Sequence, residues 1–363
     1  MSYIHQMAPA ITDADARAVA QYMTSGGWIT EFEHTRRFAQ EIAERSGARY
    51  CVITPSGTAA LFLALAACDI GRDDEVIVPD LTMAATATAP ILAGARVVFA
   101  DIEPHTLCLD LDRTEAMLTE RTKAVIVVSL NGRAPAGLPA FVTRCRARGV
   151  RVVEDAAQSM SSTLGGRALG TIGDCGIFSF SPHKIVTTGQ GGAVVTDDEA
   201  LYQRMRMLRD FGRTSGGSDH YLTVGWNLKF TDLQAVLGVQ QISRLPQLVE
   251  TKRKHFARYR ERLAGVPGVT IPETDLTAVT PWFIDLLVDP AARAPLMAFL
   301  HENGVGSRPF YPALHAEPAF AAPGSFPVAE AMSARGLWLP SSLGLTEAQV
   351  DQVCALITRF FER

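Results

Sequence analysis

The chain has little that would mark it for a membrane, a nucleic acid or a metal ion. Its longest apolar run, residues 59–68, is far too short to cross a bilayer and reads as a buried helix. Met1-Ser-Tyr-Ile-His-Gln-Met lacks the basic-then-apolar order of a secretory signal, so a cytoplasmic location is expected. Lys and Arg number 34 against 38 Asp and Glu, a net charge of −4. That balance leaves no basic footprint, so neither nucleic acid nor an anionic membrane is expected as a partner. The six cysteines (Cys51, Cys68, Cys108, Cys145, Cys175 and Cys354) form no Cys-x-x-Cys and read as free thiols of a reducing compartment. Neither His183 nor His220 belongs to a metal-ligand spacing, and no metal is expected. No Gly-x-Gly-x-x-Gly follows the first strand and no Gly-x-x-x-x-Gly-Lys-Ser/Thr occurs, which removes the dinucleotide and P-loop readings.

What is present is ordinary globular material, 47% hydrophobic and 20% charged, in a chain of 363 residues that can hold more than one domain. Seven β-rich runs recur at 50–53, 75–79, 96–100, 124–129, 150–154, 176–180 and 193–196. Several are continuously apolar, the pattern of strands covered on both faces. Helical stretches at 58–68, 84–92 and 139–148 lie between them. The alternation predicts an α/β fold with a mostly parallel sheet and right-handed crossovers. Residues 159–173 are rich in Ser and Gly and hold no helix of normal length, so one of the last two strands is free to pair antiparallel. Ahead of the sheet, a helix at 12–23 has Thr12 as its cap with Asp15 three residues on, and Ser25-Gly26-Gly27 ends it. After the sheet, Thr231-Asp232-Leu233-Gln234 is a capping box, and a basic helix follows at 251–263. The tail reads as strand 282–288, helix 291–303, strand 336–339 and helix 347–361. These divide the chain into a large domain, 1–245, and a small α+β domain, 246–363.

Three polar groups stand at successive strand ends, where open α/β sheets collect ligands. Ser56-Gly57-Thr58 opens a helix, whose N–H groups and dipole favour a phosphate. Asp155 ends another strand, with Gln158 one turn on; a carboxylate there can pair with the protonated nitrogen of a pyridine ring. Lys184 follows an apolar strand and precedes the glycine-rich 187–192, and Ser179 lies five residues before it. Burial of such a lysine frees its amine to form a Schiff base. Each group alone has a plain structural reading as a helix cap, an exposed acid or a surface lysine. Together they are the parts that hold pyridoxal phosphate.

Ser56-Gly57-Thr58-Ala59-Ala60-Leu61, Asp74-Glu75-Val76-Ile77-Val78-Pro79, Val153-Glu154-Asp155-Ala156-Ala157-Gln158 and Thr188-Gly189-Gln190-Gly191-Gly192-Ala193 resemble the DegT/DnrJ/EryC1/StrS aminotransferases, sugar aminotransferases of the fold type I superfamily. The resemblance extends to Gly27-Trp28-Ile29-Thr30 and to Arg308-Pro309-Phe310-Tyr311-Pro312 with His315. It implies a three-layer αβα large domain, a homodimer with shared active sites and pyridoxal 5'-phosphate bound to Lys184. It implies that Asp155 meets the pyridine nitrogen, that Gln158 lies against the ring, and that Gly57, Thr58 and Ser179 hold the phosphate. Asn227 matches an asparagine that reaches the neighbouring subunit's phosphate. His183, Arg308, Tyr311 and His315 are candidate substrate contacts. Three departures stand out: Met83 where the family stacks an aromatic, Ser129-Leu130-Asn131-Gly132 for His-x-Tyr-Gly, and Asn227-Leu228-Lys229 for Asn-Tyr-Arg. The last two are expected near the substrate.

The activity so implied is a ping-pong transfer of an amino group from glutamate to a keto-sugar on a nucleoside diphosphate. The Arg308 and Arg335-Gly-Leu-Trp-Leu-Pro segments lean toward perosamine-type 4-aminotransferases. Two other readings share the fold: a sugar dehydratase, whose members often carry His in place of the lysine, and a non-enzymatic cofactor-bearing regulator.

Overall fold

The computed structural model describes residues 3–214 and 219–362; Met1 and Ser2 of the N-terminal reading lie outside them. Two helices lead in, α1 (Asp13–Thr24) and α2 (Glu33–Ser46). The expected capping box of α1 is present, Thr12 and Asp15 satisfying each other's backbone N–H groups. Sequence reading gave no sign of α2, because its cap is remote. Asp232, two hundred residues on, accepts from the N–H groups of Phe32, His34 and Thr35.

The alternation then unfolds as read: β1 (Tyr50–Thr54), α3 (Gly57–Ala67), β2 (Glu75–Pro79), α4 (Ala85–Leu92), β3 (Arg96–Ala100), α5 (Leu111–Ala116), β4 (Thr122–Val128), α6 (Leu138–Ala147) and β5 (Arg151–Asp155). The Ser/Gly-rich stretch makes a small hairpin, β6 (Thr163–Leu164) and β7 (Arg167–Ala168), turned by Gly165 and Gly166 at positive φ. β8 (Cys175–Ser179) and β9 (Gly192–Thr196) complete a seven-stranded sheet in the order β1-β9-β8-β5-β4-β2-β3. β9 is the antiparallel strand, pairing with both β8 and β1; the pairs from β8 through β3 are parallel. Its reversal has a simple cause: β8 and β9 are joined by a loop rather than a crossover helix. β2 and β9 are buried at every residue, which explains the apolar runs 76–79 and 193–195 within them.

β1 and the parallel strands point the same way, so their carboxyl ends share one edge of the sheet. That edge gathers Ser56 and Gly57 after β1, Met83 after β2, Asp155 on β5 and Ser179 on β8. The β8–β9 loop carries Lys184 over it.

The remainder is α7 (Glu199–Arg209), α8 (Asp232–Ser243), α9 (Leu245–Arg262), β10 (Ile284–Leu287), α10 (Pro290–Glu302), β11 (Arg308–Pro309), α11 (Pro327–Arg335), β12 (Gly336–Leu339) and α12 (Glu347–Phe361). Only half of the capping box expected at α8 forms. Thr231 Oγ1 accepts from Gln234 N, but Gln234 Oε1 accepts from the Thr231 hydroxyl rather than its backbone N–H, while Gln234 Nε2 donates to Gln190 O and ties the helix to the glycine-rich loop. The basic helix, α9, starts earlier than its charge pattern suggested, with a proline in its first turn. β10, β12 and β11 form a second sheet over a separate core built on Phe256, Leu286, Leu339 and Ile357. Ile4 joins that core and bridges to Val305, so the N-terminal segment packs on the tail.

Candidate active site

A cavity of about 470 Å³ opens at the carboxyl edge of the sheet, in the size range of small-molecule sites. Gly57, Thr58, Met83, Asp155, Gln158, Ser179, His183, Lys184, Arg308 and Tyr311 all line it. Sequence positions spread over more than two hundred residues therefore converge on one space.

At one end, Ser56 caps α3 by accepting from Ala59 N, which leaves the first N–H groups of the helix facing the cavity. A Cβ at position 57 would lie 3.0 Å from Ser179 Cβ and 3.2 Å from its Oγ. Only glycine lets the helix start and the Ser179 hydroxyl approach so closely. The result is a cradle of N–H and O–H donors at a helix N-terminus, suited to a phosphate.

Asp155 is 6% exposed. Thr86 Oγ1 donates to its Oδ2 at 2.8 Å and Ala157 N to its Oδ1 at 3.2 Å. Burial pushes this carboxyl upward, while Thr86, Ala157 and the Lys184 charge pull against that rise. Lys184 is partly buried beside it. Burial lowers its amine to about 8, with Asp155 opposing the shift. Its Nζ stands 3.9 Å from the centroid of the Trp282 ring, and Trp282 Nε1 donates to His183 O at 2.7 Å.

Gln158 is held from two sides. Its Oε1 accepts from Asn131 N at 2.8 Å, and its Nε2 approaches Tyr311 Oη at 3.4 Å. Met83 lines the cavity at 47% exposure, with its sulfur accepting from Ala85 N.

Several expected residues lie elsewhere. His315 does not line the cavity: its Nδ1 is 2.7 Å from Asp80 Oδ2, and its backbone N donates to Asp80 Oδ1. That pairing pins the segment after β11 to the end of β2. Asn227 is exposed and outside this protomer's cavity, bridging to Asp210 instead. Lys229 pairs with Asp210 at 2.7 Å. The Ser129–Gly132 departure was expected near the substrate but is buried behind Gln158. Asn131 Nδ2 donates to Asp285, and Asn131 Oδ1 accepts from Phe283 N. Sequence reasoning missed Thr86, Trp282 and Asp285. Thr86 sits in an ordinary helical pattern, Asp285 is a member of β10, and Trp282 lies in the bend just before that strand, which begins at Ile284 rather than at 282 as read from sequence.

The DegT/DnrJ/EryC1/StrS aminotransferase family model matches residues 9–358. The chain belongs to this family. It is accordingly an aminotransferase, and its cofactor is pyridoxal phosphate. The GDP-perosamine synthase of Vibrio cholerae is 32% identical over 96% of this chain and 97% of its own length. That of Caulobacter vibrioides is 35% identical over 92% of this chain and 90% of its own. The crystal structure of the aminotransferase TlmJ from Streptoalloteichus hindustanus superposes with a TM-score of 0.94 at 32% identity, covering 99% of both chains. The α/β architecture with a mostly parallel central sheet is thus that of the aminotransferase structures.

The residues present fit the cofactor. The Gly57–Ser179 cradle offers donors suited to a phosphate, a buried carboxylate faces the same space, and a partly buried amine stands beside it.

Proposed function

We propose that the chain moves an amino group from glutamate to a keto-sugar carried on a nucleoside diphosphate, with a 4-keto-6-deoxy sugar as acceptor and amino-sugar biosynthesis as the setting. The observation that carries the reading is a partly buried amine, Lys184, and a buried carboxylate, Asp155, opening on one cavity that also holds donors suited to a phosphate. Two GDP-perosamine synthases among the relatives support the nucleotide-sugar acceptor.

Pyridoxal phosphate, when bound, supplies the electron sink for the substrate carbon. In this reading Gly57, Thr58 and Ser179 hold its phosphate, and Asp155 meets its ring nitrogen and keeps it protonated. Gln158, fixed by Asn131, orients the ring, and Met83 lies against it. Lys184 would hold the cofactor through its amine at rest. Its low amine value suits an acid–base role once it is free: Nζ could take a proton from the substrate carbon and return it to the carbon on the other side of the transferred nitrogen. Arg308 and Tyr311, which line the same cavity, are the substrate contacts in this reading, Arg308 offering a fork for a carboxylate or phosphate. His183 stands at the mouth beside them.

The working unit is a homodimer in the cytoplasm. Trp28, Ile29 and Phe32 on one segment and Tyr221, Leu222, Val224 and Trp226 on another are 37–81% exposed, an apolar surface suited to a second copy. On that surface Asn227 reaches the cofactor phosphate of the neighbouring subunit.

A panel of keto-sugars on guanosine, thymidine and uridine diphosphate, incubated with ¹⁵N-glutamate, tests the proposal. The expected product is a ¹⁵N-labelled amino sugar with one equivalent of 2-oxoglutarate. Loss of a sugar hydroxyl without label would assign a dehydratase instead.

A further inference from the structure

The indole of Trp282 is held on several sides with one face turned to Lys184. Its Nε1 is tied to His183 O, immediately before the lysine. Its carbonyl accepts at 2.7 Å from Lys252 Nζ, a fully buried amine on α9 that also donates to Ser341 O. Phe283 stacks on it and Trp338 meets it edge-on at 6.1 Å between centroids. The ring is 6% exposed, lines the cavity and has Lys184 Nζ 3.9 Å above its centroid. An ammonium removed from water gains substantially from an aromatic face.

A lysine that alternates between a bonded and a free state needs a defined place for the free amine. Asp155, the carboxylate acting on it, is committed to the ring nitrogen in the proposed reading. We propose that Trp282 is a positioning residue for the reaction: its indole face is the berth that holds the Lys184 ammonium when the lysine is neither bonded to the cofactor nor moving the substrate proton. This rests on the role proposed above for Lys184. The other ionisable groups lining the cavity are Asp155, His183, Arg308, Tyr311 and Glu317, with Lys252 behind the ring. Replacing ring hydrogens of the indole by fluorine drains the π-face and leaves all of these in place.

The test uses full-length protein stripped of cofactor and then mixed with pyridoxal phosphate across a pH series. The lone pair of the neutral amine adds to the aldehyde carbon, a C=N bond forms and water leaves, with no oxidation. The rate therefore follows the unprotonated fraction of Lys184. Borohydride trapping and peptide mass mapping locate the adduct. Biosynthetic trifluorotryptophan at the four tryptophans, and separately Trp282→Leu, are expected to lower the pH midpoint by about one unit, roughly tenfold in proton affinity. Fluorination in a Trp282→Phe background is expected to move nothing, which assigns the effect to this one ring. An unmoved midpoint in the fluorinated protein, with the adduct still on Lys184, overturns the berth and leaves the role of Lys184 intact. Absence of any adduct at Lys184 in the unsubstituted protein defeats the underlying reading instead.

Discussion

Thr86 Oγ1 donates to Asp155 Oδ2 at 2.8 Å, and neither residue is more than 6% exposed. The threonine arrives from α4 and the aspartate from β5, so the helix after β2 sets the charge state of a group three strands of sequence later. The bond favours the ionised carboxyl against its burial. Thr86→Val keeps the shape and removes the donor. The Asp155 carboxyl should then rise further and pair less well with a pyridinium. We expect kcat/KM for the glutamate half-reaction to fall about tenfold with cofactor content unchanged, the size of one lost charge-assisted hydrogen bond. Stopped-flow absorbance of that half-reaction is the check.

Gly57→Ala should act on the cofactor rather than on the fold. Its Cβ would crowd Ser179 at 3.0 Å, inside the phosphate cradle. A strain of about 1–3 kcal/mol predicts pyridoxal phosphate binding weaker by about ten- to a hundredfold. Equilibrium dialysis of the cofactor-free variant measures it, and a thermal midpoint near that of the unsubstituted apo-protein separates crowding from unfolding.

The strands and the three strand-end groups were legible because each is a local pattern: an apolar run, then a Gly, an Asp or a Lys at its end. What was illegible is held by long-range partners. Asp232 caps α2 across the chain, and nothing near Phe32 announces a helix start. Trp282 reaches Lys184 from the bend before β10, and in sequence an aromatic before an apolar run reads as core. His315 looked like a substrate group, but Asp80, the polar end of an otherwise apolar strand, takes it. Asn131 looked like a substrate determinant. It proves to be a brace between Gln158 and Asp285.

That brace carries a stability prediction. Asp285 is fully buried, pairs with Arg133 Nη1 at 2.7 Å, and accepts from Trp338 Nε1 at 2.9 Å as well as from Asn131. Asp285→Ala leaves a guanidinium buried without its counter-charge. Urea unfolding should show a loss of about 3–5 kcal/mol. A loss below about 1 kcal/mol would mean that the network is not coupled to folding.

Lys252 predicts a pH dependence. Burial lowers its amine from 10.5 to about 7, whereas the unfolded chain restores the ordinary value. Between those limits the unfolded chain holds a proton that the folded one has lost, so stability rises with pH from about 7 toward 10.5 and gains nothing more below 7. Lys184 adds the same sign of slope above about 8. Lys252→Met should remove its share. The stability of the original minus that of the variant, measured by urea unfolding, should become more positive from pH 7 to pH 9.

The central claim is that Lys184, of all the amines in the chain, bonds the cofactor. Lys252 is the sharp alternative, since it is fully buried and its amine is lowered too. Reduction of the loaded protein with borohydride, followed by peptide mass mapping, decides between them. The account predicts a single phosphopyridoxyl group on the peptide containing Lys184; the same mass on Lys252 or any other lysine would contradict it.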